Sequence, residues 1–166
     1  MSASNEPLIF IVEFLNRIGI QTVKGRVPPS SFLPGVRIDA GCLIYEASMP
    51  WPGDLLHEAG HVATAPACLR SSLADGVELP DWVPYATEAE ATAWAYAATQ
   101  HLDLHPSVLF HPGGYHGASE QLIVTFSAGV YPGAYGLAQS GMTRIGTEAR
   151  SRGEPTYPRM VQWLRA

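Results

Sequence analysis

Two histidines four residues apart, with a glutamate directly after the first, stand in the run His57-Glu58-Ala59-Gly60-His61. On a helix, residues i and i+4 lie one turn apart on the same face, so both imidazoles can point at a single ion. Glu58 lies about 100° round the helix from His57, near such an ion without being aimed at it. Zinc lowers the pKa of its bound water toward neutrality, and a carboxylate beside it can take the proton that frees the nucleophile. The plainer alternative is two surface histidines flanking a solvated glutamate. Leu55, Leu56, Ala59 and Val62 make the stretch mostly apolar, however, and that suits a helix inside the fold. His57 and His61 are therefore read as zinc ligands and Glu58 as the general base. Gly60 costs this helix about 1 kcal/mol relative to Ala. Close approach of another backbone or a substrate would account for it, and packing against a sheet would do so equally well.

A catalytic zinc takes three protein ligands and keeps one position open. Two carboxylates, Glu88 and Glu90, stand downstream in Thr87-Glu88-Ala89-Glu90-Ala91-Thr92-Ala93-Trp94-Ala95, at the head of an otherwise uncharged helix. HEAGH followed by this segment resembles the gluzincin arrangement, and more closely the ImmA/IrrE-type metallopeptidases, whose second motif is E-x-E-A-N-x-F-A. Glu88, Glu90, Ala91 and Ala95 match that motif by position, and the similarity covers about residues 36–100. The chain departs from the pattern at Thr92, where the family has Asn, and at Trp94, where it has Phe. Ala98-Thr99-Gln100-His101 replaces the family's Leu-Leu-Met-Pro ending, and no helix-turn-helix of the kind some relatives carry precedes the sheet. The family's ligand precedes its Asn by four residues, so the resemblance implies Glu88 as the third ligand. Thr92 then sits one turn on, as a hydroxyl able to orient a ligand. Glu90 is the other candidate, although Thr87-x-x-Glu90 is a capping-box pattern that gives it a structural use.

Peptide hydrolysis also needs a donor for the developing oxyanion. Tyr115 and His116, in His111-Pro112-Gly113-Gly114-Tyr115-His116, are the candidates, since polar rings beside glycines can line a cleft; a solvated surface loop is the plainer reading. His101 and His105 flank a helix end, where a cationic ring meets the helix dipole favourably, and receive no catalytic role.

The elements that must position these residues follow from periodicity. Leu8, Ile11, Val12, Leu15 and Ile18 recur at helical spacing, and Gly19 follows as a stop, predicting a helix over residues 7–18. Residues 20–23, 36–38 and 42–46 are strand candidates, the last two forming a hairpin across Asp39-Ala40-Gly41. Helices are expected over residues 54–65, which carry HEAGH, and from residue 84 or 87 to 102. Weaker helices are read at 119–130 and 132–140, and Met160, Val161 and Leu164 repeat at helical spacing in the final segment. The expected fold is α+β: one mainly helical, zincin-like domain over residues 1–166, with a small antiparallel sheet packed beside the HExxH helix.

Composition agrees with one globular domain. A chain of 166 residues with 46% hydrophobic and 15% charged residues lies outside the disordered regime, and a chain of this size buries roughly two-thirds of its unfolded surface. A net charge of −5 with ten scattered Lys and Arg argues against direct nucleic-acid binding. The early apolar stretch, interrupted by Glu13, suits neither a signal peptide nor a membrane span, so a cytoplasmic location is expected. Cys42 and Cys68 form no CxxC pair and read as small buried apolar residues. The expected function is a cytoplasmic zinc metallopeptidase acting on a peptide or protein substrate. The competing reading is a non-catalytic zinc-binding or metal-sensing protein; retention of Glu58 beside both histidines counts against it, since a structural site has no use for that carboxylate.

Overall fold

The computed structural model describes residues 6–166. Helix α1 (Glu6–Ile18) turns Leu8, Ile11, Phe14 and Leu15 inward. It stops at Gly19, whose φ of +98° is open to glycine at little cost. Three short strands follow, β1 (Thr22–Lys24), β2 (Val36–Asp39) and β3 (Cys42–Tyr45). β2 and β3 form the expected hairpin, with Val36 opposite Tyr45 and Asp39 opposite Cys42. Ala40 and Gly41 both take positive φ, the conformation a two-residue hairpin turn demands.

The sheet is mixed rather than antiparallel. Its order is β1-β3-β2, and β1 runs parallel to the central β3, with Thr22 opposite Leu43 and Lys24 opposite Tyr45. The hairpin fixes β3 against β2. The long connection over residues 25–35 then lets β1 pair with the other edge of β3 in the same direction. Val36, Ile38 and Leu43 are buried in the core shared with the next helix.

Helix α2 (Gly53–Thr64) carries HEAGH and packs against β2, β3 and α1, with Leu55, Leu56, Ala59, Val62 and Ala63 almost wholly removed from solvent. Helix α3 (Glu88–His101) lies beside it. Its Ala91, Ala93, Ala95, Ala97 and Ala98 are all buried, which explains an alanine-rich helix with few large apolar groups: small side chains let neighbours approach from several sides. The approach is closest at Gly60, where an added Cβ would lie 2.4 Å from the carbonyl oxygen of Ala91. Of the readings open for Gly60, close contact with another backbone is the one the fold uses.

Short helices α4 (Ser119–Ser127), α5 (Ala134–Gln139) and α6 (Gly146–Ser151) complete the described residues with 3-10 turns at 67–72, 106–108 and 115–117. The helical spacing over 157–164 misleads: this segment forms no helix. Its anchors are separate contacts instead. The Tyr157 hydroxyl donates to the Ala93 carbonyl at 2.8 Å, Val161 N–H donates to Met142 O at 2.8 Å, and the Trp163 ring meets Phe14 edge-on at 4.9 Å. Trp94 Nε1 donates to Trp163 O, tying the segment to α3. Neither cysteine is buried as expected: Cys42 is half-buried on β3 and Cys68 is exposed in the turn after α2. No helix among the described residues is long and apolar enough to cross a membrane.

Candidate metal centre

The buried residues of α2 fix which way its histidines face. With Leu55, Leu56, Ala59, Val62 and Ala63 in the core, His57 and His61 fall on the side turned toward the start of α3, their rings 5.1 Å apart and nearly perpendicular. The first turn of α3 is shaped by a capping box: Thr87 Oγ1 accepts from Ala89 N–H, and the Glu90 carboxylate accepts from Thr87 N–H at 2.9 Å. Glu90 is thereby buried and engaged, and Gly136 of α5 packs where only a missing side chain leaves room for it. Glu88, two residues earlier, projects to α2 instead.

Glu88 Oε2 lies 3.2 Å from His57 Nε2, and Oε1 lies 3.0 Å from His61 Nε2. One donor atom from each of the three residues falls within 4.8 Å of the other two. Donors about 2.1 Å from one tetrahedral ion stand about 3.4 Å apart, so a set of two imidazoles and a carboxylate at these separations fits a single divalent metal. The three groups are also electrostatically coupled. The two histidine hydrogen bonds hold the Glu88 carboxyl well below its usual range, against the opposing effect of burial. Burial disfavours a proton on His61, but the Glu88 hydrogen bond and the nearby carboxylates outweigh it and the net direction is upward. One detail is unusual for a metal site: His57 Nδ1 is buried without a hydrogen-bond partner among the described residues, where a ligating histidine commonly donates to a carbonyl or carboxylate. Packing holds this ring, with Tyr115 edge-on to it at 5.9 Å.

Glu58 is 8% exposed. Burial pushes its carboxyl up, His61 and His57 pull partly against that, and the carboxylates of Asp75 and Glu88 add to the rise. Asp75 is held in place by accepting from Ile38 N–H at 2.8 Å. A carboxyl placed so beside two imidazoles is suited to taking a proton and giving it back.

The segment 111–117 is a surface loop, exposed at Pro112, Gly113, His116 and Gly117, that is anchored at its first residue. His111 is 2% exposed. Its Nε2–H donates to Asp54 Oδ1 at 2.7 Å, its ring stacks on Trp51 at 4.5 Å with planes 7° apart, and its carbonyl accepts from Ser119 Oγ at 2.6 Å. Gly113 and Gly114 serve that packing: a Cβ on Gly113 would meet Trp51 Nε1 at 2.4 Å, and one on Gly114 would meet the His111 ring at 3.0 Å. Asp54 stands one turn before His57 on α2, so the pair fastens the segment to the helix that carries both histidines. The Asp54–His111 pair and Trp51 escape sequence reasoning because they join positions far apart in the chain. The available signal was a carboxylate three residues before the first histidine of HEAGH.

Fastened in this way, the segment brings Tyr115 and His116 to a cavity of about 840 Å³ that opens beside His57 and Glu88. Both residues have positive φ, 56° and 51°, a conformation uncommon outside glycine and frequent at functional sites. The Tyr115 hydroxyl is buried with no hydrogen-bond partner among the described residues, and burial first, then the carboxylates of Asp54, Glu88 and Glu58, keep it protonated well above the usual phenol range. His116 is exposed at the rim. Thr92 also lines the cavity, one turn beyond Glu88, and makes no side-chain hydrogen bond to the three clustered residues. No family model, no curated protein and no solved structure matches the chain.

Proposed function

We propose that the protein is a zinc-dependent peptidase of the gluzincin type, zincin-like in architecture and related in design to the ImmA/IrrE metallopeptidases, acting on a peptide or protein substrate in the cytoplasm. The observation that carries this reading is the position of Glu58: a buried carboxyl with a raised proton affinity, next to a His57-His61-Glu88 set whose donors suit one metal ion. In this reading His57, His61 and Glu88 hold zinc. Bound there, zinc supplies Lewis acidity toward a carbonyl oxygen and toward water. Glu58 takes the proton of the attacking water, and its raised pKa lets it return that proton to the leaving amine. Tyr115, protonated and with an uncommitted hydroxyl, donates to the oxygen on which negative charge develops. Thr92 and His116 border the substrate path.

The test compares wild type with Glu58→Gln on a peptide library in the presence of zinc. Both proteins are expected to bind zinc equally, and only wild type to cleave, with the variant at least about 100-fold slower. Equal cleavage by the two proteins, or cleavage by neither, would overturn the peptidase and leave a zinc-binding protein.

A further inference from the structure

Building on the peptidase reading, in which the Tyr115 hydroxyl donates to the developing oxyanion, we propose that Asp54 and His111 are positioning residues that register this hydroxyl to the helix carrying His57 and His61. His111 gathers the segment at one point. Its carbonyl accepts from Ser119 Oγ at 2.6 Å and from Gly114 N–H at 3.2 Å, so the two ends of residues 111–119 close on a single residue. Its ring lies flat on Trp51 and donates from Nε2 to Asp54 Oδ1 at 2.7 Å. The Tyr115 ring stands 6.2 Å from the His111 ring and 5.2 Å from that of Phe110, with the His57 ring 5.9 Å away. Asp54 and His57 are three residues apart on α2, about one turn of a single helix. Through Asp54 and His111 the tyrosine is therefore located from the same rigid element as the first histidine.

Stability alone does not account for the pair. Both side chains are almost wholly removed from water, and the dehydration of such a pair offsets most of its mutual attraction, so apolar groups of the same shape would hold the core as well. His111 Nδ1 is also buried with no hydrogen-bond partner among the described residues, a polar atom that a phenylalanine at this position would not have. A phenylalanine, however, cannot fix one orientation, and the directional bond from Nε2 to Asp54 does. Orientation matters because Tyr115, His116 and Gly117 follow one another at positive φ, 56°, 51° and 82°. Two non-glycine residues keep that backbone only where surrounding contacts impose it. Released from Asp54, the segment relaxes toward ordinary backbone. The Tyr115 hydroxyl, with no hydrogen bond of its own among the described residues to retain it, then leaves its place beside the cluster.

The experiment uses the full chain and two readouts. With zinc supplied, kcat, KM and zinc affinity are measured for wild type, Asp54→Ala and Asp54→Asn, each with and without Tyr115→Phe. Without zinc, the nuclear Overhauser contact between the Tyr115 and His57 rings is followed by NMR. Asp54→Ala is expected to lower kcat about 100-fold while KM and zinc affinity stay within about threefold. Asp54→Asn, which keeps an oxygen for His111, should recover kcat to within about tenfold of wild type. In the Tyr115→Phe protein the same Asp54→Ala change should cost less than about twofold, because the group being positioned is gone. The ring contact should vanish in Asp54→Ala and persist in Asp54→Asn. Should circular dichroism show Asp54→Ala unfolded, His111→Phe, which keeps a ring on Trp51 and loses the bond, takes its place with the same expectations. A ring contact that survives without the bond overturns the positioning role. So does an unchanged kcat, or an equal loss of kcat with and without the Tyr115 hydroxyl. No cleavage by wild type, together with a ring contact that depends on Asp54, ends the peptidase reading and supports the hold of the pair on Tyr115.

Discussion

Glu88 and Glu90 are two residues apart and chemically identical, yet the fold gives them opposite tasks. Glu90 closes the capping box with Thr87 and is buried, whereas Glu88 reaches His57 and His61. The difference is measurable by thermal unfolding with and without zinc. At a free zinc concentration 100-fold above Kd, binding adds about 2.7 kcal/mol, and for a chain of this size that raises Tm by about 5–10 °C. Glu88→Ala should abolish most of that rise, with zinc affinity reduced roughly 100-fold or more, because one of three ligands is gone. Glu90→Ala should keep the rise while lowering the baseline by about 1 kcal/mol through loss of the cap. The reverse pattern would make Glu90 the ligand. The capping pattern that engages Glu90 is complete within four residues and was legible locally, as was the i, i+4 spacing of the histidines; Glu88 was singled out by the resemblance to the E-x-E-A motif. The Asp54–His111 pair, with partners far apart along the chain, left no such local trace.

At the level of elements, the seam between α2 and α3 sets the distance from Glu88 to the histidines. A methyl group on Gly60 meets the Ala91 carbonyl oxygen at 2.4 Å, and backbone does not yield as a flexible side-chain tip does. Gly60→Ala should therefore cost about 1–3 kcal/mol despite its better helix propensity, and should weaken zinc binding by displacing the start of α3. Urea unfolding followed by zinc titration checks both; a variant more stable than wild type with unchanged zinc affinity would show that the helices can part at no expense. Helix positions were readable from apolar periodicity and caps, and the hairpin from Asp39-Ala40-Gly41. The parallel pairing of β1 with β3 was not, since strand direction depends on the path of residues 25–35 and not on any pattern within the strands. The segment 157–164 misled for a related reason. Its spacing imitates a helix, but Val161 is 49% exposed while Tyr157 and Trp163 are the residues that dock.

For the whole molecule, one alkali-sensitive point of the core is Tyr157, whose hydroxyl donates to Ala93 in the middle of α3. Burial, and then the neighbouring Tyr96 and Tyr131, push its phenol well above the ordinary value. The neutral form is thus favoured by folding, and its contribution is fully present below the unfolded value of about 10 and lost as pH climbs beyond it toward the folded value. Tm should fall as pH rises above about 10. Tyr157→Phe should cost about 1 kcal/mol at neutral pH, for the lost hydrogen bond, and should flatten the alkaline decline. Tyr96 and Tyr115 are raised in the same direction, so the decline is reduced and not removed. An unchanged alkaline slope in the variant would place the sensitivity elsewhere.

The Gly60–Ala91 contact has a kinetic consequence as well. Because backbone packing between two core helices seats the start of α3 against α2, the position of Glu88 relative to His57 and His61 is set by the core. Zinc fingers differ, since there the chain folds only as the ion binds. Here chelation is expected to leave a folded protein that reloads without refolding, at a rate governed by diffusion and by the ion's release of its own water.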